Sequence, residues 1–147
     1  MCQQRRLFIL LAALPLLCYS RPSVAVSDFV VIANMDSGID KMSKDEVINV
    51  YMGRNRKLAS GIIALPLDLE TPIAEKAHFY SVMVNKELSE ISSYWARLLF
   101  SGQGAPPKQV TNQDEAIDIV INRKGAIAYI DRKKIDKRVR VVFDPLR

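Results

Sequence analysis

Three short stretches carry the donors that could hold a small anion: Thr71-Pro72, Ser101-Gly102-Gln103-Gly104 and Thr111-Asn112. Thr71 and Asn112 precede stretches that read as helices. The first amides of a helix point outward, with the positive end of the macrodipole behind them, and so suit an oxyanion. The glycines after Ser101 admit tight turns that also present amides. Each stretch has a plainer reading: Thr71 and Asn112 as N-caps, and the glycine loop as an exit from the preceding helix. Residue types alone leave both readings open. Other chemistry is poorly served. His78 is the only histidine, so a transition-metal site is not expected. A Ser-His-acid triad would need it as base, and no nucleophile-elbow sequence is present. No Gly-Lys-Ser/Thr follows the glycine loop, which excludes a P-loop. The acidic pairs Asp45-Glu46 and Asp114-Glu115 fall in expected first helical turns, where the dipole accounts for them. No catalytic residue, metal ligand or cofactor is assigned, and the chain reads as a non-enzyme.

The elements that must position these residues follow from periodicity. Phe29 to Ala33 is a β-branched run that reads as a buried strand. Ser43-Lys44-Asp45-Glu46 is a capping box that opens a helix with Val47, Val50 and Tyr51 on one face, stopping by Gly53. Ile62 to Leu67 reads as a second strand. Thr71 as N-cap and Pro72 in the first turn start a helix that runs to about Val84. Another helix begins near Asn85 and sets Leu88, Ile91, Trp95, Leu98 and Leu99 on one core-facing stripe. Trp95 therefore reads as core rather than as a binding platform with Tyr94 and Phe100. A loop spans Ser101 to Pro107. Asn112 caps a helix carrying Ala116, Ile117, Val120 and Ile121, which ends before Gly125. Ala126 to Ile130 and Val139 to Phe143 read as strands. Strands alternating with helices predict an α/β fold, a mixed or parallel sheet flanked by helices.

The first 25 residues read as an export signal. Arg5 and Arg6 precede an apolar run from Leu7 to Leu17, and Ser23-Val24-Ala25 supplies small residues before a cut. The run is shorter than the roughly 20 residues of a membrane span. Residues 26–147 are then a single domain, expected in the periplasm or secreted. Cys2 and Cys18 both lie in the signal, so no disulfide is expected. Removing Arg5, Arg6 and Arg21 brings the basic count of 21 close to the acidic count of 16, a balance of about +2. Such a balance is no argument for nucleic acid. The basic residues Arg132-Lys133-Lys134, Lys137, Arg138 and Arg140 read either as a solvated edge or as a contact for an acidic partner or lipid surface.

Met42 to Gly53 resembles the helix, ending in an aromatic, a hydrophobe and glycine, of the phosphate-binding proteins that serve ABC uptake systems. Arg54 to Lys57 is similar to that family's basic loop, Tyr94 to Pro107 to its aromatic helix end and glycine-proline loop, and Gly125-Ala126-Ile127-Ala128-Tyr129 to its Gly-Ala-Ile-Gly-Tyr strand. The order and spacing of these motifs cover most of residues 26–147. The resemblance implies one lobe of a periplasmic-binding-protein fold. It implies binding of phosphate or a related oxyanion, for uptake through an ABC permease or for sensing. Between strand and helix, where the family carries an arginine and a Ser-Gly-Thr-like turn, this chain has Leu67-Asp68-Leu69-Glu70-Thr71-Pro72. Only Thr71 matches the turn, and Pro72 lacks an amide donor. A single lobe also leaves the ligand face open unless a second copy or a partner supplies the other wall. The alternative is a ligand-free interaction module that docks to an envelope sensor or transport component.

Overall fold

The computed structural model describes residues 28–147; the expected export signal and its expected cleavage point lie outside them. A β1 strand, Phe29–Asn34, is followed by α1, Lys44–Tyr51, then β2, Leu65–Leu69. Two helices come next, α2, Ile73–Val84, and α3, Leu88–Phe100. A short β3, Lys108–Val110, leads into α4, Gln113–Asn122. The chain closes with β4, Ala126–Asp131, a 3-10 turn at Arg132–Lys134, and β5, Val139–Phe143. The five strands form one sheet in the order β3-β2-β4-β1-β5. β2 is parallel to both β3 and β4, whereas β1 is antiparallel to β4 and β5. The fold is thus α/β with a mixed sheet.

All six residues of β1, and five of the six in β4, are buried. A strand buried at successive positions needs cover on both faces. On one face Tyr51 of α1 and Phe79 of α2 meet Tyr129 of β4, with the Phe79 and Tyr129 rings stacked at 4.0 Å. Helix α4 packs against β4, β1 and β2. Asn34 fastens it there: its side-chain amide donates to the Val120 and Ile121 carbonyls at 2.7 and 2.8 Å. Those carbonyls belong to the last turn of α4, where no intrahelical donor remains.

The capping box of α1 forms as expected, Glu46 N donating to Ser43 Oγ and Ser43 N to the Glu46 carboxylate. Three expectations need correction. Pairing of β2 starts at Leu65 rather than Ile62, because residues 57–63 turn back on themselves through the Lys57–Ile63 bridge. Ile63 is consequently 72% exposed. β3 was not anticipated, since Lys-Gln-Val offers no apolar alternation to read. On α3, Ile91 and Trp95 are buried but Leu99 is 54% exposed. The last turn of α3 leaves both Leu99 and Phe100 open to solvent as it reaches the loop.

Arg132 ties the chain end to the sheet. Its guanidinium donates to both oxygens of Asp144 at 2.8 and 2.5 Å. These bonds hold the Asp144 carboxyl down at about 2. A carboxyl near 3.9 when unfolded and lower when folded contributes stability that is fully present above pH ~4 and is lost as pH falls toward ~2. Thermal unfolding of wild type and Asp144→Asn should therefore differ at neutral pH, and the gap should close as pH approaches 2. A gap that persists at low pH would rule this out.

Candidate functional site

The carboxyl ends of the parallel strands β2, β3 and β4 meet the amino ends of α2, α4 and the 3-10 turn. In an open α/β sheet that edge is where ligands bind. The edge is held together by the chain's own groups. Thr71 N and Thr71 Oγ1 both donate to the Thr111 carbonyl, at 3.2 and 2.7 Å. Thr71 is therefore a clamp between the ends of β2 and β3 and not the N-cap of α2; that position is Pro72, which makes no side-chain cap bond. Thr111 N donates to the Glu115 carboxylate at 2.6 Å, and Asn112 Oδ1 accepts from Glu115 N at 3.0 Å. Asn112 is the N-cap of α4, as its position implies. The Thr111 amide holds the Glu115 carboxyl below its usual value. Gln113 spans the edge: its carbonyl oxygen accepts from Asp131 N at 2.8 Å while its amide donates to Glu75 of α2. Lys134 pairs with Asp114.

The first three residues of the glycine loop are equally committed. Ser101 N, Gly102 N and Gln103 N donate to the Arg97, Leu99 and Leu98 carbonyls, so they finish α3 rather than face a ligand. Ser101 Oγ donates to the Leu98 carbonyl. Gly102 supplies the left-handed residue of this exit, φ +69°. The loop enters β3 at one end and Thr111 leaves it at the other, about 10 Å away at the rise of a strand. The structure thus separates Ser101, Gly102 and Gly104 from Thr71, Thr111 and Asn112. His78 lies edge-on to Phe29, ring centroids 5.8 Å apart.

Asp68 is the feature that composition and spacing did not bring out. Its side chain is buried, and four donors converge on it. Tyr129 Oη donates at 2.6 Å, Tyr80 Oη at 3.1 Å and Gln109 Nε2 at 3.2 Å, with Lys76 Nζ at 2.9 Å. Tyr129 Oη also accepts from Leu69 N. Burial, then the Asp68 charge, push both tyrosine hydroxyls far above their usual range, so they remain donors. Lys76 neutralises the carboxylate that would otherwise repel an anion at this edge. The sequence signal was there to read: one acid inside the apolar alternation of Leu65-Pro66-Leu67-Asp68-Leu69, which a strand can bury only with partners.

Fold and edge together define an α/β lobe built on a mixed five-stranded sheet. Three solved structures are similar over this lobe. One is an ABC-type phosphate transport receptor from Vibrio cholerae, TM-score 0.62 and 13% identity, covering 79% of this chain and 45% of that one. Another is a phosphate ABC transporter substrate-binding protein from Clostridium perfringens, solved with bound phosphate, TM-score 0.62 and 12% identity, covering 79% and 44%. The third is a phosphate-binding-type protein from Planctomyces limnophilus, TM-score 0.58 and 13% identity, covering 80% and 42%. This chain spans less than half the length of these proteins, and the likeness is one of fold. No protein-family model and no curated protein matches the chain. Among the described residues, no helix is long and apolar enough to cross a membrane.

Proposed function

We propose that this chain is a non-enzymatic, solute-binding-type lobe exported to the cell envelope, where it works as an interaction module on a sensor or transport component. The observation that carries this reading is the state of the strand edge. Thr71, Thr111, Asn112 and Gln113 spend donors or acceptors on one another, on Glu75 and on Glu115. Glu70, Glu75, Asp114 and Glu115 crowd the helix starts with negative charge. An anion arriving from water would meet acids before amides. Export rests on the signal-like residues 1–25, and the envelope setting on the transport role printed for the similar Vibrio cholerae protein.

A second reading, binding of phosphate or a related oxyanion, has one observation in its favour. The amides of Ile73, Ala74, Asn112, Gln113 and Asp114 make no bond within the described residues. A second copy or a partner lobe laid over Thr71, Thr111 and Asn112 would supply the missing wall. Light scattering on the purified protein mixed with solubilised envelope components, with and without phosphate, separates the two readings. A discrete complex indifferent to phosphate supports the module. Assembly that needs phosphate supports the anion reading.

A further inference from the structure

At the end of the sheet away from the anion edge, where β2 and β3 begin, lies a groove of about 580 Å³. That size falls within the roughly 300–1,000 Å³ of sites that seat small molecules or anchoring side chains. Ile63, Leu65, Leu99 and Pro106 give it apolar walls, and Arg56 and Lys108 are the charged residues that line it. No acidic residue lines it. Ile63 and Leu99 are 72% and 54% exposed, and Phe100, next along α3, is 97% exposed. Neighbouring exposed apolar residues on this scale mark a contact surface more often than a bare one.

The charged residues lining the groove are both basic and neither has a carboxylate partner. Arg56 and Lys108 make no ion pair among the described residues, nor do the neighbouring Arg54 and Lys57; basic residues elsewhere, such as Lys41, Arg97 and Lys124, are also unpaired, but they do not line the groove. Arg56 reaches only the Gln103 carbonyl, at 3.5 Å. The groove is also prebuilt. Tyr94 Oη donates to the Met52 carbonyl at 2.6 Å, and a Cβ on Gly53 would come within 2.9 Å of the Trp95 ring. The buried indole thus supports the groove wall, and little ordering would be needed on binding.

We propose that this groove docks a segment of a partner protein that presents apolar side chains beside an Asp or Glu carboxylate, the apolar groups on Ile63 and Leu99 and the carboxylate on Arg56. The proposal rests on the interaction-module reading and assigns its surface. Concave apolar walls with a cation at the rim suit a side-chain anchor, whereas a lipid surface would call for a convex apolar patch.

Selection of a random-peptide display library on the immobilised protein tests it, followed by fluorescence polarisation with the selected peptides. Enrichment of Asp or Glu beside Leu, Ile or Phe is expected. Arg56→Glu and Leu99→Asp, both at exposed positions, should each weaken binding about tenfold or more. Changing the peptide's acid to lysine should restore binding to Arg56→Glu. Lys134→Glu, at the far edge, should change nothing. Failure to select such peptides, or equal binding to wild type and Arg56→Glu, would overturn the proposal. So would binding to anionic phosphatidylglycerol vesicles that Phe100→Ser abolishes in the absence of peptide binding. Peptides that respond to Lys134→Glu but not Arg56→Glu would remove the groove and leave the module reading standing.

Discussion

Asp68→Ala is expected to destabilise the protein by about 3–5 kcal/mol, the range for deleting one partner of a buried ion pair. The carboxylate is 4% exposed at its side chain and is the meeting point of Lys76, Tyr80, Gln109 and Tyr129. Removing it strands two phenol hydroxyls in the core and leaves the Lys76 ammonium, 18% exposed, without its partner. These groups come from α2, β3 and β4, so the loss loosens α2 from the sheet and β3 from its neighbours. Asp68→Asn keeps one acceptor and its volume, and should cost less. Urea unfolding followed by circular dichroism reads both. A loss under about 1 kcal/mol for Asp68→Ala would mean that the network is incidental.

Gly125→Ala should cost roughly 3 kcal/mol, at or beyond the upper end for overpacking. A Cβ there would lie 2.0 Å from the Ile63 carbonyl oxygen. The obstacle is backbone, so no rotamer change relieves it. The same glycine's carbonyl accepts from Leu65 N at 2.8 Å, the bond that begins β2 beside β4. Relieving the clash would therefore pull apart the start of that pairing. A drop in Tm of roughly 10 °C or more is the expected reading. The measurement has a built-in contrast in Gly61→Ala, where no atom lies within 4 Å but φ is +85°. That change should cost only its local backbone strain. Equal effects at the two sites would contradict the close-approach role of Gly125.

Elements announced by local chemistry were legible. Ser43 with Glu46, and Asn112 with Glu115, are caps whose partners lie three residues away, so sequence spacing alone specifies them. The buried strands β1 and β4 declared themselves through unbroken apolar runs. What escaped depends on distant residues. β3 is three residues long and becomes a strand only because β2 offers it a parallel partner. Thr71 looked like a cap because it precedes a helix, but its hydroxyl found the Thr111 carbonyl 40 positions away. Gly125 looked like a helix stop. In fact α4 ends at Asn122, and the glycine is required by the approach of Ile63. Asp68 stood in the sequence only as part of the stretch that departs from the family pattern, because its four donors are scattered from Lys76 to Tyr129. Of the candidate anion residues, Ser101, Gly102 and Gly104 do not reach the strand edge, and Thr71, Thr111 and Asn112 come together there. Their pairing with one another could be seen only in three dimensions.

The central claim is that the chain's own clamps and acids screen the strand edge and that the protein does not hold phosphate by itself. Titrating the isotope-labelled protein with phosphate, followed by amide NMR, tests it at residue level. The expected result is no saturable shift at millimolar phosphate for Thr71, Ile73, Ala74 and Thr111 to Asp114. Saturable shifts confined to those amides, with heat of binding by calorimetry, would contradict it.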